Sequence, residues 1–182
     1  MRRERYWANM QISIRKFERQ DVENKVKWIN DSRNNAYLHY DLPLEVEKTE
    51  LWYEKNKYRT DRYDAVIEID GMAAGLIGLL NIDCKNQKAE YYVCIGDQSV
   101  KGKGVALMAS KLLLEYAFCT LKLNKIYLYT ERDNIKAQRL FERLGFRNEG
   151  LLKEDLIYNG RRVDRFYYGI TRLEYENITD CN

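Results

Sequence analysis

A cluster of glycines and lysines near the middle of the chain is the first feature that could do chemistry. The stretch VKGKGVALMAS, residues 100–110, places two glycines one residue apart, each beside a lysine, directly before an apolar helical pattern. A helix N-terminus offers unpaired backbone N–H groups and about half a positive charge, which together favour an anion. Glycine leaves the backbone bare enough for a phosphate to reach it. The stretch suits either a diphosphate-binding turn or a plain strand-to-helix connection.

A second motif, NIKAQRLFERLGF at residues 134–146, has the pattern of a capped amphipathic helix. Its apolar residues recur at i, i+3, i+4 and i+7, on one helical face: Ala137, Leu140, Phe141 and Leu144. Asn134 is suited to the N-cap, and Gly145 to the position just past the C-terminus. By itself the segment predicts only a helix that ends at a glycine.

Apolar periodicity predicts the elements that must position these two motifs, in the order β-α-α-β-β-β-α-β-α-β-β. The predicted helices cover residues 21–30, 46–59, 103–120 and 134–144. The predicted strands lie at 10–17, 62–70, 72–83, 88–96 and 125–130, and on either side of the Asn159-Gly160 turn. The strand–helix–strand crossover between residues 89 and 130 predicts parallel neighbours inside a mixed sheet.

Composition narrows the class of protein. The 182 residues favour one domain, spanning residues 1–182. The formal net charge is +3, and charges of both signs alternate along the chain, which argues against a nucleic-acid-binding face. The longest apolar run, at 72–80, is too short to span a membrane, and no signal-peptide pattern follows the basic N-terminus. We therefore expect a cytoplasmic protein without nucleic-acid or membrane partners.

Metal and disulfide chemistry are not expected either. The chain has a single histidine, His39, and its cysteines show no CxxC pairing. We interpret them as thiols in a reducing compartment. The cysteines are Cys84, Cys94, Cys119 and Cys181.

Taken together, the two motifs resemble those of the GNAT acyltransferases. Residues 101–106 resemble the family's (Q/R)xxGx(G/A) loop, which holds the pyrophosphate of acetyl-CoA, with Lys101 in place of Gln or Arg. Residues 134–146 resemble its NxxAxxLYxxxGF helix. The resemblance implies an α/β (α+β) GNAT fold, with a mixed sheet of about seven strands and about four helices. It also implies a bulge in the strand before the glycine loop, which splays two parallel strands apart.

By the same resemblance acetyl-CoA is the cofactor, and twelve residues are expected to bind it. They are Val93, Cys94, Ile95, Lys101, Gly102, Lys103, Gly104, Val105, Ala106, Asn134, Ala137 and Phe141. The segment EGLLKE at 149–154, with Asp164, further resembles the branch of spermidine and ribosomal-protein N-acetyltransferases.

Acetyl transfer to an amine needs a base for the amine, and Glu90 is the predicted one. Many relatives place a tyrosine near the thioester sulfur as an acid, where this chain has Phe141. Either the thiolate leaves without help, or another tyrosine substitutes, or the protein binds acyl-CoA without turnover. The candidate tyrosines are Tyr92, Tyr129 and Tyr158, of which Tyr92 and Tyr129 are the predicted catalytic ones.

The acceptor is expected to contact the loop between the first two helices and the start of the second helix. The predicted substrate-binding residues there are Tyr37, His39, Tyr40, Asp41 and Trp52. Carboxylates beside aromatic rings suit a polyamine, while Arg33 and Asn35 equally suit an amino-sugar nucleotide. A protein N-terminus and a non-catalytic acyl-CoA sensor are the alternatives. The resemblance also implies self-association as a homodimer or higher homo-oligomer.

Overall fold

Residues 10–179, which the computed structural model describes, form seven strands and five helices. The strands are β1 (Ile12–Lys16), β2 (Tyr63–Ile69), β3 (Met72–Asp83), β4 (Lys88–Ile95), β5 (Lys125–Glu131), β6 (Arg147–Tyr158) and β7 (Arg161–Thr171). The helices are α1 (Val22–Asn30), α2 (Val46–Asn56), α3 (Val105–Glu115), α4 (Ile135–Arg143) and α5 (Arg172–Ile178). The predicted element order is confirmed, and α5 is an addition to it.

All seven strands join one sheet in the order β1-β2-β3-β4-β5-β7-β6. Strands β1 to β4 form an antiparallel meander, and β7 is antiparallel to both of its neighbours, β5 and β6. The crossover through α3 makes β4 and β5 parallel. This arrangement confirms the predicted mixed sheet of the α/β (α+β) class.

Three local predictions need correction. Helix α2 ends at Asn56 rather than near residue 59, and α3 passes at Tyr116 into one π-helical turn that reaches Thr120. Asp21 precedes α1 as predicted, but its carboxylate accepts bonds from Arg15 and from the Glu18 amide instead of capping the helix. The charged partner Arg15 lies on β1, so sequence-local capping rules do not reveal it.

The parallel strands β4 and β5 separate partway along their length. They pair only at Lys88–Lys125, Ala89–Ile126 and Glu90–Tyr127, although both continue beyond this point. The predicted splay is therefore present. The extra residue, however, lies in β3, where Asn81 and Ile82 lie opposite the single β4 residue Ala89. The predicted position of the bulge, in β4, is wrong.

Each sheet face is covered by its own set of helices, and β4 contributes side chains to both. The larger core packs under α3, α4 and α5, and the smaller core packs under α1 and α2. Because side chains alternate along a strand, Tyr91 joins the larger core while Tyr92 and Cys94 pack on the smaller one. The gap beyond Glu90 is thus reached from both faces.

Within residues 10–179 no helix is long and apolar enough to cross a membrane. The same part of the chain contains no group of three or more His, Cys, Asp or Glu residues that could hold a metal ion. The N-terminal MRRER and Cys181 lie outside the described residues. One domain spanning residues 1–182 stays a prediction.

Candidate functional site

A cavity of about 560 Å³ occupies the gap between β4 and β5 and is lined by residues from both sheet faces. Fourteen of the predicted site residues line it: Tyr37, His39, Tyr40, Trp52, Glu90, Tyr92, Val93, Cys94, Ile95, Lys101, Tyr129, Asn134, Ala137 and Phe141. The other six, Asp41, Gly102, Lys103, Gly104, Val105 and Ala106, are not part of its lining. Residues 102–104 form the glycine turn, which continues from the cavity at Lys101, and Val105 and Ala106 begin α3.

The glycine turn has the geometry of an anion site. Gly102 and Gly104 have φ angles of +77° and +82°, in the left-handed region that other residues adopt only with strain. A β-carbon at either glycine would meet no atom within 4 Å, so the space above the turn is open. The Met108 amide makes the first helical bond, 3.1 Å to the Gly104 carbonyl, so the amides before it lie outside the α3 ladder.

The remaining charges around this turn favour an anion as well. The first turn of α3 carries no acidic residue, so nothing there competes for the positive end of the helix. Val105 is buried in the core and anchors the start of the helix. The glycines, the open space and the amides fit the diphosphate of a coenzyme A.

Lys101 adds positive charge to the glycine turn and also forms hydrogen bonds to the loop between α1 and α2. Its Nζ donates to the Arg33 carbonyl at 3.1 Å and to the Asn34 side chain. Asn34 in turn donates to the Gly96 carbonyl at 3.0 Å and the Trp28 carbonyl at 2.9 Å. Lys101 therefore ties the glycine turn to the loop between α1 and α2.

Glu90 lies at the point where β4 and β5 separate. Its Oε2 accepts a bond of 2.9 Å from the Asn81 side chain. Burial raises the pKa of Glu90, and the Asn81 bond and the Arg165 charge only partly oppose that rise. A carboxylate with a raised pKa at the edge of a cavity is a better proton acceptor than an exposed one.

The three candidate tyrosines are not equivalent in the structure. The Tyr92 hydroxyl donates to Asp64 Oδ1 at 2.8 Å, and burial holds its pKa well above the ordinary value. The Tyr158 hydroxyl donates to the Tyr40 carbonyl at 3.0 Å. Tyr129 lines the cavity beneath the Arg165 guanidinium, 4.5 Å from the ring centroid, and burial together with Glu90 raises its pKa. The hydroxyls of Tyr92 and Tyr158 thus already donate hydrogen bonds within the protein.

Phe141 is almost fully buried and lies edge-on to Tyr91, with ring centroids 6.0 Å apart. The Tyr91 hydroxyl is paired with Ser110 at 2.5 Å, and Ser110 also donates to the Ala106 carbonyl. The wall that carries a tyrosine in many relatives is here an aromatic packing surface.

The loop between α1 and α2 is fastened over the cavity by contacts with the far strands. His39 Nε2 lies 2.8 Å from Glu131 Oε1, and the Tyr37 hydroxyl donates to the Asp133 carbonyl at 3.3 Å. The bond from Tyr158 to Tyr40 adds a third tie. Asp41, the remaining predicted residue of this loop, is exposed outside the cavity.

Sequence reasoning missed a charged cluster at the α1–α2 end of the cavity. Lys25 is 7% exposed, and its Nζ lies 3.2 Å from the centroid of the Trp52 ring. Arg62 forms a bidentate pair with Asp64 at 2.6 and 2.8 Å, and Asp64 also receives the Tyr92 bond. One feature of the sequence could have indicated this cluster. Asp64 lies two residues before the apolar Val66 in a predicted strand, so both side chains are expected on the same, buried face.

Replacing Lys25 with methionine should change how stability depends on pH. Burial lowers the pKa of Lys25 to about 8 from 10.5, with Asp64 opposing the shift and Arg62 adding to it. Between these two pH values the unfolded chain binds more protons, so Lys25 makes wild-type stability rise with pH. Relative to Lys25→Met, the wild type should gain roughly 3 kcal/mol between pH 7 and pH 10.5.

Urea unfolding of both proteins at several pH values measures this effect, because the other titrating groups cancel in the difference. A difference that stays constant from pH 7 to pH 10.5 would show that Lys25 keeps its ordinary pKa in the fold.

The chain is similar to known proteins along most of its length. Residues 11–147 match the Acetyltransferase (GNAT) domain family. The chain is 33% identical over 155 residues to a spermidine N(1)-acetyltransferase of Escherichia coli K12, covering 82% of this chain and 80% of that one. It is 31% identical to a putative ribosomal N-acetyltransferase of Bacillus subtilis, covering 93% and 96%.

Solved structures agree with the sequence matches. A crystal structure of spermidine N-acetyltransferase from Vibrio cholerae, in complex with CoA and spermine, superimposes with a TM-score of 0.85. It is 31% identical and covers 92% of this chain and 99% of that one. The same enzyme has a dodecameric structure in an intermediate state, with a TM-score of 0.80, 29% identity and coverage of 93% and 98%.

Proposed function

The chain belongs to the GNAT acetyltransferase family and is an acetyl-CoA-dependent N-acetyltransferase, and we propose that its acceptor is a primary amine of a polyamine. The observation that carries the proposal is the cavity between β4 and β5. Glu90 and Tyr129 line it, and it continues at Lys101 into the glycine turn.

In this proposal the cofactor binds along one edge of β4. The turn of Gly102 and Gly104 and the first amides of α3 hold the diphosphate. Residues Val93–Ile95, whose β5 edge is left unpaired by the splay, offer backbone groups to the pantetheine arm. Asn134 Oδ1 caps α4 by accepting from the Ala137 amide at 3.2 Å, which places this side chain at the mouth of the same gap.

Glu90 serves as the base. Bound acetyl-CoA supplies an acetyl thioester, the electrophile of the reaction. An amine must be neutral to attack it, and Glu90 takes the ammonium proton either directly or through a water molecule. Tyr129 lies beside Glu90 and is the tyrosine best placed to assist proton transfer, while the Tyr92 hydroxyl is held by Asp64. Phe141 cannot donate a proton, and none is required at this position, because the coenzyme A thiol is moderately acidic and its thiolate is a weak base.

Carboxylates and aromatic rings at the point where β4 and β5 separate support a cationic acceptor. Among the described residues, Glu90 of β4 has no cation within ion-pair distance, whereas Glu131 of β5 is paired with His39 and Arg161. The rings of Tyr37 and His39 line the same region, as does Tyr129 with Arg165 over its ring. Rings beside carboxylates favour ammonium groups. The similarity to polyamine acetyltransferases adds to this support. Lys25 and Arg62 occupy the opposite end, so the non-reacting ammonium groups extend towards the loop and not towards α2.

A protein N-terminus is the second candidate acceptor, favoured by the similarity to the putative ribosomal N-acetyltransferase. A peptide needs an open groove, whereas three hydrogen bonds hold the loop between α1 and α2 against the far strands. The small amine is therefore the preferred acceptor. We further propose that the protein is cytoplasmic and forms homo-oligomers, since a similar enzyme is dodecameric.

An acetylation screen read by mass spectrometry tests the acceptor. Purified protein and acetyl-CoA are incubated separately with spermidine, an amino-sugar nucleotide and an N-terminal peptide. We expect acetylated spermidine and little product in the other reactions. Acetylation of the peptide or of the sugar nucleotide in preference to spermidine would replace the polyamine as the acceptor.

A further inference from the structure

One buried hydroxyl on the cofactor side of the cavity lacks a hydrogen-bond partner. Among residues 10–179, Thr130 Oγ1 is the only buried side-chain nitrogen or oxygen atom without one. Thr130 is 5% exposed and lines the cavity. Leaving such a group unsatisfied costs about 1–3 kcal/mol, so the fold carries a penalty at this position.

The position of Thr130 on β5 shows which ligand can satisfy it. Ile126 and Leu128 of the same strand belong to the core beneath α3 and α4, and Thr130 continues their row by the two-residue period. On this side the cavity is walled by Ala137, Leu140 and Phe141 of α4. Tyr129, one residue earlier, faces Glu90 on the acceptor side. The Thr130 hydroxyl therefore lies on the side of the gap proposed for the cofactor, and not on the side proposed for the amine.

The side chains around the Thr130 hydroxyl on this wall are apolar or already hydrogen-bonded. Phe141 has no hydrogen-bonding group, and the Tyr91 hydroxyl is already engaged with Ser110. The pantetheine arm of coenzyme A contains amide and thioester groups that accept hydrogen bonds. Any such group that enters the gap can meet the Thr130 hydroxyl on the β5 side, opposite the unpaired backbone of β4.

We propose that Thr130 is a cofactor-binding residue whose hydroxyl donates a hydrogen bond to an amide carbonyl of the pantetheine arm. The penalty carried by the unliganded protein is then removed on binding. The proposal rests on the passage of that arm through the gap between β4 and β5, as proposed above. It assigns this side of the gap a polar contact that the apolar residues of α4 do not provide.

Thr130→Val tests the proposal because valine has the same shape without the hydroxyl. We expect calorimetry to show coenzyme A binding weakened about 3- to 10-fold, as expected for one lost hydrogen bond. The unliganded variant should melt at the same temperature as the wild type or a higher one, since an unsatisfied polar atom has gone. Thr130→Ser keeps the hydroxyl and should retain the wild-type affinity.

Thr49→Val is the matched control. Thr49 is equally buried, at 5% exposure, but its hydroxyl donates to the Glu45 carbonyl at 2.7 Å. This variant should lose stability and keep its affinity for coenzyme A. Unchanged affinity in Thr130→Val, or a lower melting temperature of its unliganded form, overturns the role of Thr130. Failure of the wild type to bind coenzyme A overturns the cofactor path itself.

Discussion

Glu90→Gln should lower kcat by about 10²- to 10⁴-fold while leaving the affinity for coenzyme A nearly unchanged. The glutamine cannot take a proton, but its carbonyl oxygen can still accept the Asn81 bond that holds Glu90 at 2.9 Å. The shape of the cavity is therefore preserved, and the glycine turn lies outside the cavity that contains Glu90. Loss of turnover without loss of binding is the signature of a base.

The pH profile makes this test more specific. Because burial raises the pKa of Glu90, kcat/KM should fall on the acid side at a pH above the ordinary range of a glutamate, where the carboxyl becomes protonated. That acid limb should be absent from the residual activity of Glu90→Gln. Glu115→Gln, an exposed change on α3, controls for the loss of one charge. Turnover equal to that of wild type in Glu90→Gln would remove Glu90 from the mechanism.

The parts of the site that follow from local sequence were predictable. The positive φ values of Gly102 and Gly104 follow from glycine next to a helix start, and the Asn134 cap follows from the apolar period of α4. The meander and the parallel crossover follow from the order of strands and helices. Each depends on residues within one or two turns of the chain, which is the range over which propensity and periodicity act.

What the sequence did not predict depends on contacts between distant segments. Lys25 and Arg62 are residue types usually found at the surface, and only the packing of α2 against α1 and against the start of β2 places them against Trp52. The sequence predicts that Lys101 binds phosphate. In the fold its Nζ also donates hydrogen bonds to Arg33 and Asn34 of the loop between α1 and α2. The bulge lies in β3 and is defined by the register in which β3 pairs with β4. The sequence of β4 alone contains no pattern that predicts this register.

The splay links these local and distant features. A strand that remained paired with β5 through Ile95 would have no backbone edge available for a ligand, and Glu90 and Phe141 would be separated by a closed sheet. Since pairing ends at Glu90, alternate side chains of β4 face opposite sides of the sheet, and the cavity connects these two sides at the gap. The acceptor and the cofactor can then approach from opposite faces, which is the requirement for direct transfer without an enzyme-bound intermediate.

Gly104→Glu should abolish coenzyme A binding, with at least about a 100-fold loss of affinity. The substitution places a carboxylate in the open space above the turn, at the positive end of α3, where the diphosphate is proposed to bind. Like charges then repel, and the carboxylate also competes for the amides before Met108. Titration of coenzyme A by calorimetry measures the effect directly.

Two variants separate the charge from backbone strain at a positive φ. Gly104→Ala imposes the same strain without a carboxylate and should retain most of the affinity. Gly71→Glu makes the identical substitution at a glycine with φ of +79° and an equally open Cβ position, but in the turn between β2 and β3. It should lower stability by about 1–2 kcal/mol and leave binding intact. If Gly104→Glu still binds coenzyme A as the wild type does, the glycine turn does not hold the diphosphate.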